Sequence, residues 1–259
     1  MIIHQNKYRR MNPALIQQVI GYKKSGPNPT PPAPLAWWEL NGAGSVTDLS
    51  GNGYNLTGNG SSSGTFPGTS APAAVYNLSL RMYQVSQGQV TALDFGASPQ
   101  PFSVSSWINS GTDGCVVNNL DSNANYQGWT MYYGIYPVSH EMTLQLNSNS
   151  GKGGSGSITV RTNTGGSLAY NESWHLALTY DGSNHAAGVK LYINGALAPM
   201  TVFSDNLVGS ASGDQPVSLG AIANNQYTFA LTNYQSDTRL WNVALNSAQI
   251  ATLYTAGPQ

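Results

Sequence analysis

The side chains able to do chemistry are spread thinly along this sequence. Glycoside hydrolysis with retention needs two carboxyl groups about 5 Å apart, yet Glu39, Glu141 and Glu172 each stand without a second acid within five residues. His4, His140, His175 and His185 make neither a His-x-His nor a His-x-x-x-His pair, so no two imidazoles share a strand or helix face toward a metal. Cys115 lies in the apolar run Cys115-Val116-Val117, a setting for a small buried side chain rather than a nucleophile. As the only cysteine it excludes an internal disulfide and a multi-cysteine cluster. No catalytic residue is assigned, and the chain is expected not to be an enzyme. Flat aromatic side chains offer a different chemistry, stacking on sugars. Tyr126, Trp129, Tyr132, Tyr133 and Tyr136 crowd one stretch. Trp129, Met131, Tyr133 and Ile135 alternate and so belong to a core face. Tyr126, Tyr132 and Tyr136, with Tyr227, are left as candidates for glycan contact.

Strands would have to position these groups. From Trp174 to Ala198, Trp174, Leu176, Leu178 and Tyr180 fall on one face and His175, Ala177 and Thr179 on the other. Asp181-Gly182-Ser183-Asn184 ends that run with turn chemistry. Val189, Leu191 and Ile193 then alternate with Lys190 and Tyr192 up to Asn194-Gly195, a dipeptide that accepts the positive φ angles of a two-residue hairpin turn. Further strands are predicted near Trp37–Leu40, Tyr54–Thr57, within Tyr76–Leu93, and at Phe102–Ile108, Cys115–Asn118, Trp129–Tyr136, Glu141–Asn147, Ser157–Thr162, Val202–Phe203, Pro216–Ala221, Tyr227–Leu231 and Thr238–Val243. In the first of these Trp37 and Leu40 are assigned to the core. Residues 58–74 read as a long surface loop. Asn246 caps a closing helix that packs through Ile250, Leu253 and Tyr254. Charged residues are 8% and aromatics 10% of the chain, the balance of a folded, many-turned β protein rather than a disordered one. No stretch reaches the roughly 18 apolar residues of a membrane span.

Three stretches resemble one family, in the right order: WWELNGAGSVTDLSGNGYNLT (Trp37–Thr57), WHLALTYDG with VKLYINGALA, and SDTRLWNVALNSAQIATLY (Ser236–Tyr254). They are similar to the opening strand and Asp-x-Ser-Gly-Asn-Gly loop, the central hairpin, and the closing strand and helix of laminin-G-like domains. The resemblance covers roughly Leu35 to Ala256. It implies an all-β, concanavalin A-like (laminin G-like) jelly-roll β-sandwich of two antiparallel sheets. The scaffold hosts glycosidases, lyases and lectins, so it does not choose among them. Its glycosidases carry Glu-x-Asp-x-(x)-Glu on one strand, a pattern missing here. Many laminin-G-like domains bind one Ca²⁺ through the acid of that loop, backbone carbonyls and an acid on the last strand. Carried over, the ligands would be Asp48, Asn52 and Asp237. The usual last-strand acid falls at Ser236, and in a regular strand Asp237 points to the opposite face. An Asx-turn role for Asp48 is the alternative. The family usually has His beside Trp at the position of His175, which implies a packed role.

Charge divides the chain unevenly. Lys7, Arg9, Arg10, Lys23 and Lys24 are five of its ten basic residues and no acid precedes Glu39, so the first 38 residues carry +5 and the remainder −6. Within this segment Asn12-Pro13 can start a short helix whose stripe is Leu15, Ile16, Val19 and Ile20. Pro27, Pro29, Pro31, Pro32 and Pro34 follow as an extended spacer. The sequence therefore divides into an N-terminal basic, Pro-rich assembly arm (1–34) and a jelly-roll domain (35–259). A marginal helix needs a partner to bury its stripe: a capsid or other virion protein, or copies of the chain itself. No signal peptide is recognised at the start. Together these features suggest a structural virion protein, such as a phage capsid decoration or fibre-type component on the capsid or tail surface. A carbohydrate-binding module or adhesin, extracellular and calcium-dependent or not, is the alternative. Five scattered charges make too thin a footprint for nucleic acid.

Overall fold

The computed structural model describes residues 28–40, 44–58, 62–76, 83–85, 92–96, 100–121, 126–135, 138–148, 156–213, 215–222 and 229–259. Period-two alternation builds two antiparallel sheets. The eight-stranded sheet runs β14 (Ala196–Leu197), β13 (Val189–Ile193), β12 (Trp174–Tyr180), β7 (Phe102–Asn109), β17 (Asn233–Trp241), β5 (Pro72–Tyr76), β4 (Ser62–Thr65), with β1 (Ala36–Trp38) also paired to β17. The nine-stranded sheet runs β15 (Met200–Asp205), β11 (Ser157–Thr162), β10 (Val138–Asn147), β9 (Gly128–Ile135), β8 (Gly114–Asn118), β16 (Ser218–Leu219), β6 (Tyr83–Val85), β3 (Leu56–Gly58), β2 (Ser45–Val46). This is the expected jelly-roll sandwich.

The inward residues of both sheets form one core. Leu176, Leu178 and Tyr180 of β12 and Phe102, Val104 and Ile108 of β7 share it with Trp129, Met131 and Tyr133 of β9 and Met142, Leu144 and Leu146 of β10. Phe95 and Phe102 stack at 4.9 Å between ring centres, and each lies 5.5 Å from Trp129. The central hairpin turns at Asn194 (φ 49°) and Gly195 (φ 76°), the left-handed pair its sequence calls for. The closing helix, α1 (Ser247–Ala256), lies across the other face of the eight-stranded sheet, where Ile250 and Leu253 bury against Ala177, Tyr192 and Trp241. Asn246 and Gln249 close a reciprocal capping box at its start. None of the described helices is long and apolar enough to cross a membrane.

Three expectations are corrected. In β1 it is Trp38 that enters the core; Trp37 faces outward, because Ala36 and Trp38 share the inward face of a period-two strand. Residues 58–74 are not one loop: β4 and the start of β5 pair within them, with Phe66 buried beside Trp107 at 6.0 Å. Phe229–Leu231, the described part of the strand expected at Tyr227–Leu231, lies outside any strand. Over its described residues 28–34 the proline-rich spacer is bonded to the body. Trp241 Nε1 donates to the Pro32 carbonyl (2.9 Å), Gln249 Nε2 to that of Thr30 (3.1 Å) and Asn246 Nδ2 to that of Asn28 (3.3 Å). Extended proline-rich backbone has carbonyls with no internal donor, and Trp241 of β17, the cap residue Asn246 and Gln249 of α1 supply the donors. The arm residues Lys7, Arg9, Arg10, Leu15, Ile16, Val19, Ile20, Lys23 and Lys24 lie outside the described residues.

Candidate functional site

The loop after β1 is built on one carboxylate. Asp48 Oδ1 accepts from the Trp37 amide (3.0 Å) and the Ser50 amide (2.9 Å), and Oδ2 from Ser50 Oγ (2.7 Å) and the Tyr54 amide (3.0 Å). Its own amide donates to Asn55 Oδ1 (2.9 Å). Asn52 Nδ2 donates to the Leu35 carbonyl (2.9 Å), which Ser50 Oγ also reaches (3.0 Å). On β17 the pairing with β7 slips between Ser236 and Arg239, and Asp237 takes a left-handed φ of 43°. The strand is thus irregular where a regular one would have turned Asp237 away. Asp237 accepts from Arg239 Nε (2.6 Å) and Nη2 (3.0 Å) and from Trp37 Nε1 (2.8 Å). Burial raises the Asp237 carboxyl above its usual range, against the opposing pull of Arg239, Trp37 and the Gln259 backbone. Trp37 therefore touches both acids, one with its backbone and one with its indole.

A divalent cation needs oxygens free to point at it. Here the Asp48 and Asp237 oxygens and the Leu35 carbonyl already accept protein hydrogen bonds, and Asn52 turns its amine, not its oxygen, inward. The set does not fit calcium as it stands. Among the described residues, no three His, Cys, Asp or Glu side chains converge as a metal site elsewhere.

The tyrosine candidates fare differently. Tyr132 is only 2% exposed, set edge-on to Phe229 at 5.7 Å in a cluster with Cys115, Leu120 and Ile222, so its ring has no face left for a sugar. Tyr126 packs half-buried against the same cluster. Tyr136 and Tyr227 lie outside the described residues. Burial pushes the Cys115 thiol up to about 12, which keeps it protonated and unreactive at neutral pH.

Another aromatic takes the exposed position. β11 and β15 pair with a slip: Thr159 faces Ser204 and Val160 faces Val202, leaving Phe203 as the extra residue of a bulge. A bulge re-aims a side chain, and the Phe203 ring stands 57% exposed with the Arg161 guanidinium carbon 4.4 Å from its centre. Arg161 sits opposite Thr143 of β10 and donates to it through Nε (3.3 Å). Burial pulls the Arg161 pKa down, partly offset by the Glu141 charge. Ile158 and Val160 enter the core, so Ser157, Thr159 and Arg161 point outward. Along that outward face Arg161 Nη1, Thr159 Oγ1 and, on β10, Asn147 Oδ1 are all buried without a hydrogen-bond partner. Three such atoms on neighbouring strands are unusual, since buried polar groups are nearly always paired. The signal was present in SITVRT, whose alternation aims one arginine outward. The bulge that frees Phe203 leaves no such mark.

Residues 84–251, more than half the chain, match the family described as the concanavalin A-like lectin/glucanases superfamily (Laminin_G_3). The chain belongs to that superfamily. Solved structures agree on the fold. Domain 4 of AbnA, an extracellular arabinanase from Geobacillus stearothermophilus, in complex with arabinotriose, superposes with TM-score 0.59 at 18% identity over 85% of this chain and 97% of that one. The botulinum neurotoxin serotype D ligand-binding domain, in complex with N-acetylneuraminic acid, gives 0.55 at 17% identity, covering 87% and 51%. The binding domain of Paraclostridial Mosquitocidal Protein 1 gives 0.57 at 18% identity, covering 86% and 52%. The chain thus spans about half the length of the two toxin domains. No curated protein matches it in sequence. Superfamily membership accounts for the sandwich and the closing helix and leaves the ligand to be argued from the outward face.

Proposed function

We propose that this domain is a non-enzymatic carbohydrate-binding module whose ligand lies on the outward face of β10, β11 and β15. The observation that carries the reading is the bulged, exposed Phe203 resting on Arg161, beside a row of buried polar atoms with no partner. An exposed ring with a guanidinium against it suits a sugar, whose apolar C–H face can lie on the ring and whose hydroxyls can meet the charge. The arabinotriose and N-acetylneuraminic acid held by the two structural neighbours support the ligand class. Titration against a glycan array, followed by calorimetry on the best binder, tests it. Because Phe203 is an exposed anchor, Phe203→Ala should weaken binding by about tenfold or more while leaving the thermal midpoint nearly unchanged. Unaltered affinity would exclude this face, and a wild-type protein that binds no glycan would remove the function.

The charge split favours a second, compatible reading, in which the basic leader fixes the module to an acidic surface of a larger assembly, a phage virion among the options. Its test must respect the hydrogen bonds of residues 28–34 to Trp241, Asn246 and Gln249. Deleting residues 1–27, not 1–34, should leave the body folded and abolish incorporation into the particle. Normal incorporation of the truncated chain would end this reading.

A further inference from the structure

Resting on the carbohydrate-binding reading above, we infer that the glycan taken by this face carries a carboxylate and that Arg161 selects it. Arg161 is only 6% exposed, and an arginine so buried is normally paired with an acid. This one is not. The ion pairs among the described residues are His185 with Asp205 and Arg239 with Asp237. Arg161 donates from Nε to the neutral hydroxyl of Thr143 (3.3 Å), and its Nη1 has no partner. With Nε engaged, the Nη side of the planar fork is the part left to meet an anion, and its parallel N–H groups match a carboxylate better than a lone hydroxyl. Glu141, on the neighbouring strand, is the acid whose charge reaches Arg161, but its Oε1 accepts from the Thr164 amide (3.3 Å) instead. The way in is the edge of the sheet. β15 is the last strand on this side, and from its bulge Phe203 lies over the guanidinium. An exposed side chain changes rotamer within nanoseconds. The ring can therefore leave Arg161 and settle on the C–H face of the sugar whose carboxylate replaces it.

The test compares carboxylated glycans with their neutral parents on an array, then the best acidic binder with its own carboxyl methyl ester by calorimetry on the full chain. The ester keeps the sugar ring and removes the charge, so the comparison needs no altered protein. The free acid should bind about tenfold or more tightly than the ester, the usual gain from a hydrogen bond to a charged group, and added salt should narrow the gap. Arg161→Gln should abolish the preference for acid over ester. Glu141→Gln, which removes a like charge and keeps an oxygen for the Thr164 amide, should increase it. Equal affinity for acid and ester, with Phe203→Ala still weakening both, would overturn this inference and leave the carbohydrate-binding reading standing. A protein that prefers sulfated to carboxylated glycans would overturn it too. A protein that binds no glycan of either kind would remove both.

Discussion

Asp48→Ala is expected to cost about 4 kcal/mol of stability, a large share of the roughly 5–15 kcal/mol that holds a domain folded. The figure follows from what is stranded. Three backbone amides, those of Trp37, Ser50 and Tyr54, lose their acceptor together, and each buried amide left unpaired costs about 1–3 kcal/mol. Alanine offers no replacement, and at 5% exposure water reaches the site poorly. Asp48→Asn is the informative companion. Its one oxygen can serve two donors, but its amine must then face donors where Oδ2 stood, so a loss of about 2 kcal/mol is expected. Urea unfolding of both variants, in EDTA and again in calcium, makes the measurement. A mild Asp48→Ala phenotype in EDTA with a severe one in calcium would mean that a metal, not the loop, is what Asp48 serves.

That carboxylate also shows how far the sequence could be read. The alternation of Trp174–Tyr180 and Val189–Ile193, the Asn194-Gly195 turn and the Asn246 cap each depend on neighbours within a few residues, and each stands in the structure as its residues dictate. The Asp48 turn was legible in the same way. What it excludes was not, because the protein donors that fill its oxygens include the Trp37 amide eleven residues away. Placing Trp37 rather than Trp38 in the core took the wrong phase, since two adjacent tryptophans satisfy either phase of a three-residue strand. Tyr132 looked like a surface ring because it alternates with core residues, yet the far side of its sheet is itself covered by Phe229 and Ile222. Phe203 and Arg161 come together only through the slipped register of an edge pair, a feature of the partner strand as much as of their own. Local chemistry was readable; register and cover were not.

The other large effect is a pH dependence carried by His175. Its ring lies 1% exposed on the far face of β12, 5.2 Å from Trp107 and 6.0 Å from Tyr254, with Nδ1 unpaired. Burial, and after it the Arg239 charge, lowers its pKa to about 3, against about 6.5 in the unfolded chain. Above pH 6.5 the imidazole is neutral in both states and contributes nothing that varies. As pH falls below that, the unfolded chain takes up a proton that the native state refuses, so stability falls until the native pKa is reached near 3. At pH 4 the loss from this one group is on the order of 3 kcal/mol. His175→Phe keeps an aromatic ring between Trp107 and Tyr254 and removes the proton site. The difference in unfolding free energy between pH 7 and pH 4 should therefore shrink by about that amount in the variant, whatever the carboxylates add to both proteins. Equal slopes in the two would mean that His175 takes up its proton in the folded state as readily as in the unfolded one, and that α1 does not seal this face of the sheet.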